Sequence, residues 1–173
     1  GDSETEEPFA ELPRAEERER YPLTPAQLGI YFETQMNPDA VSYNMPCGFR
    51  TEAVLDPERF CRAVERLGRE EPILRSHFQA SREGIFQKLD DSQTLSAEIY
   101  RDISLEQAKA DFVRPFDLSA APLFRAALWQ GKDEKEQAVF LDMHHIIGDA
   151  VTAAGLIRKL SILYEERQPE KEQ

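Results

Sequence analysis

The run Ala138-Val139-Phe140-Leu141-Asp142-Met143 is almost continuously apolar and leads directly into His144-His145-Ile146-Ile147-Gly148-Asp149-Ala150. An apolar run this short reads as a buried strand, and the stretch from Val151 to Glu166 that follows reads as a helix. Side chains alternate on a strand, so if the strand persists through the pair, His144 and His145 point to opposite sides. One imidazole then faces the core and the other a cleft. Asp149 falls at the strand-to-helix turn, where an acid satisfies the first N–H groups of a helix and complements its dipole.

Residue types alone leave two readings of this run. Imidazole titrates near neutral pH and is the commonest general base, which suits acid–base chemistry. Histidine among Met, Leu and Ile is also the pattern of a satisfied core residue, and Asp before a helix that of a simple cap. A metal site is disfavoured. Adjacent strand histidines do not easily share one ion, His77 is distant in sequence, and neither cysteine has a CxxC neighbour.

At 173 residues the chain is long enough for one domain with a real core. A formal net charge of −12 argues against nucleic acid or an anionic membrane as partner, since both select basic surfaces. The acid is concentrated at the ends: residues 1–20 read as an acidic linker or loose lead and 167–173 as a polar tail, leaving 21–166 as the folded unit. Cys47 and Cys61 form no disulfide framework and suit a reducing compartment. There is no apolar run of spanning length and no signal-peptide pattern, so a cytoplasmic protein is expected.

Along the chain, Thr24 reads as an N-cap with Pro25 at the first helical position. The helix over Ala26 to Met36 then presents Leu28, Tyr31, Phe32 and Gln35 on one face. Ser42 to Thr51 reads as a strand weakened by Pro46 and Gly48. Asp56-Pro57 opens a helix with Phe60, Val64 and Leu67 on its apolar face, ending near Gly68. After Pro72, Ile73 to Phe78 begins a strand whose hairpin partner is Ile85 to Leu89. Ile99 to Asp102 reads as a short strand, and Ser104 caps a helix from Leu105 to Val113. Leu123 to Gln130 and Gln137 to His144 form a second hairpin. Helices alternating with strands and hairpins imply an α/β sandwich on a mixed sheet.

Four stretches in this order carry a resemblance. His144-His145-x-x-x-Asp149 matches the HHxxxDG signature of condensation domains of nonribosomal peptide synthetases, relatives of chloramphenicol acetyltransferase. Leu23 to Phe32 is similar to that family's first motif, and Arg69 to Phe78 to its second. Arg114-Pro115-Phe116-Asp117-Leu118 with Pro122-Leu123-Phe124-Arg125 resembles its PFDL…PLxR stretch. The resemblance implies an acetyltransferase-like lobe that joins an acyl or peptidyl donor to an amine acceptor. Both are carried as thioesters on the phosphopantetheine arms of carrier proteins, and no cofactor is bound directly. Residues 21–166 are then an N-terminal lobe, with a C-terminal lobe and an adenylation domain as further partners.

On the same resemblance His145 is the catalytic histidine and His144 is structural. Asp149 is expected to pair with Arg75, and Gly148 and Ala150 to lie near the substrate and its pantetheine arm. Arg125 is expected in a structural ion pair, and Gln27 and Tyr31 to serve packing. The family's final glycine is Ala150 here, while Gly148 is available to take over the need for a small residue. Two other functions stay open: a carrier-docking module without chemistry, and an acyltransferase whose site is completed by a neighbouring copy.

Overall fold

The computed structural model describes residues 20–166. The expected acidic lead and polar tail lie, but for Arg20, outside those residues. Tyr21–Pro22 is a short strand, β1, and Pro25–Met36 is helix α1. β2 spans Cys47–Arg50 and α2 Pro57–Glu70. A 3-10 turn over Pro72–Arg75 leads into β3, Ser76–Ser81, which turns back as β4, Gly84–Leu89. β5, Glu98–Tyr100, and α3, Leu105–Phe112, precede β6, Phe124–Gln130, and β7, Gln137–Met143. A second 3-10 turn, His145–Ile147, connects β7 to α4, Ala150–Glu165.

The strands form two sheets. The central sheet has the order β2-β7-β6-β5, with β5 parallel to β6 and the other pairs antiparallel; the smaller one has the order β1-β4-β3 and is antiparallel. The mixed sheet and its helices match the expected fold class. The two hairpins, however, belong to different sheets.

β7 is one of the two inner strands of the central sheet and every one of its residues is buried. Period-two alternation sends Val139, Leu141 and Met143 to one face, where they pack with Phe60, Val64 and Leu67 of α2 and Leu156, Leu160 and Leu163 of α4. Ala138 and Phe140 take the other face, against Ala108 and Phe112 of α3. Helices therefore cover both sides of β7, which explains its near-continuous apolar composition.

Three local expectations shift. On α1 the face turned inward carries Gln27, Ile30, Tyr31 and Thr34, while Phe32 is 55 % exposed and Met36 80 %. Both stripes have helical spacing and share Tyr31, so periodicity alone does not choose between them. The strand expected over Ser42–Thr51 contracts to Cys47–Arg50, because Pro46 has no N–H for the ladder. The strand expected from Ile73 starts only at Ser76: Pro72–Arg75 coils as a 3-10 turn that returns Arg75 to the end of α2.

Two glycines separate packing from propensity. A Cβ on Gly68 in α2 would lie 2.5 Å from Leu95 Cβ, whereas one on Gly155 in α4 meets nothing within 4 Å. Gly68→Ala should therefore destabilise by about 1–3 kcal/mol. Gly155→Ala should stabilise by about 0.5–1 kcal/mol. Denaturant midpoints of the two variants check the opposite signs.

Candidate active site

The site is the bend where β7 leaves the sheet. Antiparallel contacts continue one residue past β7: His144 bridges to Asn44 and its N–H donates to Leu123 O at 3.0 Å. Met45 N donates to Met143 O at 2.8 Å and His145 N to Tyr43 O at 2.9 Å. The chain then tightens into the 3-10 turn, with Ile147 N bonded to His144 O and Gly148 N to His145 O. Ile146 N donates to His144 Nδ1 at 3.1 Å, and Asp149 N to Thr152 Oγ1 at 3.4 Å. Every N–H from His144 to Asp149 thus has an acceptor, so the turn is held by an unbroken set of bonds.

The two imidazoles separate as alternation requires. His144 is 3 % exposed; His145 is exposed. His144 packs against Phe116, edge-on at 6.1 Å between centroids, and near the ring of Tyr43 at 6.1 Å. A nitrogen that accepts carries no proton, so neutral His144 holds its hydrogen on Nε2. Burial, with a smaller contribution from neighbouring His145, pushes its pKa down to about 4. His144 is thus the buried member of the pair, with its ring tied into the turn.

The support around His144 comes from distant parts of the sequence. Arg125 lies over the Phe116 ring at 3.8 Å and donates through its two terminal nitrogens to Arg114 O and Pro115 O. That carbonyl clamp replaces the ion pair expected for Arg125. Asp142, 1 % exposed, lies opposite Arg125 in the ladder, but its Oδ2 accepts from Asn44 Nδ2 at 2.7 Å. The same amide reaches Arg114 O at 3.0 Å. Burial raises the Asp142 pKa, the cost of keeping an acid inside an apolar strand. Neither Asp142 nor Asn44 was singled out from the sequence, although an acid inside so apolar a run was the available signal.

Asp149 is an exposed N-cap. Its Oδ1 accepts from Thr152 N at 3.0 Å, which closes a capping box and lowers its pKa. The expected pair with Arg75 is not formed. Arg75 instead bonds Asp91 at 3.1 Å and donates to the carbonyls of Gly68 and Arg69, where a cation complements the C-terminus of α2. The physical reason is that Asp149 is solvated and already bonded, so it needs no buried counter-charge.

Gly148 and Ala150 also separate. A Cβ on Gly148 would come within 2.6 Å of Thr152 Cγ2, so the capping box requires glycine there. Ala150 is exposed and is the first residue of α4. Gln27, expected to serve packing, reaches from α1 to the turn: its Nε2 donates to Ile146 O at 2.9 Å. Among the described residues no group of three or more His, Cys, Asp or Glu side chains is arranged to hold a metal ion, and no helix is long and apolar enough to cross a membrane.

Fold and turn together define an α/β lobe that presents one solvent-facing imidazole on a fixed strand-to-helix bend. The condensation domain model matches residues 17–173, and the chain belongs to the condensation domain family. It is 36% identical over 167 residues to bacitracin synthase 3 of Bacillus licheniformis, covering 95% of this chain and 3% of that protein. It is 34% identical over 164 residues to tyrocidine synthase 2 of Brevibacillus parabrevis, covering 92% and 4%. Among solved structures, the starter condensation domain of rhizomide synthetase superposes with a TM-score of 0.74 at 25% identity, over 84% of this chain and 37% of that one. The first condensation domain of the CDA synthetase, at 20% identity and a TM-score of 0.70, shares the fold. The chain spans a small fraction of the synthases and well under half of the solved chains.

The neutral His144 gives a signed pH dependence. The unfolded imidazole, with its ordinary value of 6.5, binds protons that the folded one refuses until about pH 4. This contribution is complete above the unfolded value and is lost as pH falls through that window, about 3 kcal/mol in all. Asp142 works in the opposite sense, since its burial cost is relieved once pH falls through its raised folded value. Denaturant midpoints from about pH 7 down to about pH 4 should fall, and His144→Phe should flatten the slope.

The separate bonding of Asp149 and Arg75 gives a second expectation. Arg75→Ala should cost about 1–2 kcal/mol by freeing the α2 carbonyls. Asp149→Ala should shift the midpoint only by the loss of a cap, and the double variant should show the sum of the two. A double-mutant cycle measures this; a coupling between the two positions would restore the pair.

Proposed function

We propose that this chain is the N-terminal lobe of a nonribosomal peptide synthetase condensation domain. The reaction joins a carrier-bound acyl or peptidyl donor to a carrier-bound aminoacyl acceptor. The acceptor's α-amine attacks the donor thioester carbonyl, the carbon–nitrogen bond forms, the carbon–sulfur bond breaks, and the donor carrier's pantetheine thiol leaves. The observation that carries this reading is the exposed imidazole of His145 on a turn whose N–H groups are all bonded. A hydrogen-bonding group held this way can meet the amine and accept its proton without reorganising.

In this reading His144 fixes the turn and Asp149 starts α4. Gly148 and Ala150 border the substrate side. Arg75, which ends α2, supports the lobe at a distance from the chemistry. The phosphopantetheine arms are substrates, and no group is bound directly. The partners are carrier proteins, a second lobe that completes the site and an adjacent adenylation domain, in the cytoplasm.

The test compares this chain with a complete condensation domain containing it, using donor- and acceptor-loaded carrier proteins. The complete domain should form the amide and the chain alone should not. In the complete domain His145→Ala should lower the rate by about 10²–10⁴ while leaving the denaturant midpoint near the parent's, because an exposed side chain packs little. Amide formation by this chain alone, or unchanged activity in His145→Ala, would overturn the reading.

A further inference from the structure

We propose that Gln27 is a positioning residue for His145, a role separable from its part in starting α1. The inference rests on the reading of His145 as the catalytic group. Gln27 bonds in two directions. Toward its own helix it completes a capping box: Thr24 N donates to Gln27 Oε1 at 3.0 Å, and Gln27 N donates to Thr24 Oγ1 at 3.2 Å. Away from it, Nε2 donates to Ile146 O at 2.9 Å, across 119 residues of sequence.

Ile146 is the residue after His145 and is 2 % exposed. Its N–H is held by His144 Nδ1, and its carbonyl by Gln27. The two peptide planes flanking Ile146 are thereby both fixed, and the plane before them is fixed through the bond from His145 N to Tyr43 O. The first two of these planes along the chain flank the His145 Cα and set the direction in which its imidazole leaves the chain; the third, the one that Gln27 bonds, is the next along and supports them from the far side of Ile146. The third plane is held on both edges: Ile147 N donates to His144 O within the turn, and Ile146 O accepts from the Gln27 amide, an anchor from outside it. Without that anchor a buried carbonyl loses its donor, and the turn can rotate to seek another.

α1 is otherwise lightly attached. Tyr31, 7 % exposed, is its one buried residue, while Phe32 and Met36 project into solvent. The amide of Gln27 is therefore a direct mechanical link between this helix and the histidine-bearing turn. A displacement of α1 moves Ile146 O, and with it His145, in the direction of that bond.

The two roles of Gln27 part in Gln27→Glu. A glutamate keeps the acceptor for Thr24 N, and its charge suits the first turn of a helix. It has no hydrogen to give Ile146 O and sets an oxygen against it. Thr24→Ala does the converse: it damages the cap and leaves the amide bond in place.

In the complete condensation domain, with His145→Ala as the control for chemistry, Gln27→Glu should lower the melting temperature, because it leaves the buried Ile146 carbonyl without a donor. It should lower kcat about tenfold or more, with the half-saturating acceptor concentration unchanged. Thr24→Ala should lower the melting temperature and keep kcat within about twofold. Gln27→Glu at parental kcat, or loss of activity in both variants in proportion to loss of stability, would overturn the proposal. A second measurement is independent of amide formation. In this chain, Gln27→Glu should shift the His145 ring resonances by NMR, and Thr24→Ala should leave them in place. If the parent domain forms no amide, the functional reading fails while the ring shifts still decide whether Gln27 positions His145; unmoved shifts overturn it.

Discussion

The bond from Ile146 N–H to His144 Nδ1 is the constraint on which the rest of the site depends. It turns the chain out of a fully paired central strand without leaving a buried donor unpaired. It also requires an imidazole that is neutral, buried and presented by its Nδ1 edge. Burial supplies the neutrality by pushing the pKa down to about 4. Phe116 and Tyr43 supply the orientation by enclosing the ring. With the first imidazole used in this way, the second is left exposed to solvent.

That arrangement explains why segments far apart in sequence carry recognisable patterns. The Arg114–Leu118 stretch brings Phe116 to His144, and Arg125 holds the stretch by its carbonyls. Residues 43–45 run beside the end of β7 and accept the His145 N–H, anchored by the amide of Asn44 between Asp142 and Arg114 O. The first turn of α1 reaches the same bend through Gln27. These segments converge on a single turn: Tyr43 O and the Gln27 amide satisfy two of its polar groups, and Phe116 packs against its buried imidazole. Removing a partner from such a network exposes the cost of the group left behind, which is larger than the net worth of the bond.

The electrostatics follow the same economy. Asp142 is kept inside an apolar strand with one strong bond to an amide, and Arg125 is spent on carbonyls and an aromatic face. Asp149 stays in solvent, where a cap bond suffices. An ion pair at the turn would need both charges desolvated, and desolvation consumes most of what such a pair gains.

The order of the helices and of strands β2 to β7, the buried β7, the caps at Thr24, Asp56, Ser104 and Asp149, and the contrasting burial of His144 and His145 were legible in the sequence. Each rests on a local rule: period-two alternation, apolar continuity, or a side chain bonding its own first helical turn. The motif spacing likewise carried the family. What only the tertiary structure decided is where polar side chains with several available partners spend their bonds. Spacing allowed α1 two inward stripes, and the carbonyl of Ile146 selects the one that contains Gln27. Arg75 had both Asp149 and the end of α2 as chemically sensible partners, and the 3-10 turn after Pro72 delivers it to α2. Whether 148 or 150 needs glycine turned on the closeness of Thr152, which a one-dimensional pattern does not contain. Local preferences specify elements because their partners are a few residues away. Long-range polar contacts depend on the packed arrangement of the whole lobe, and that is where the site is made.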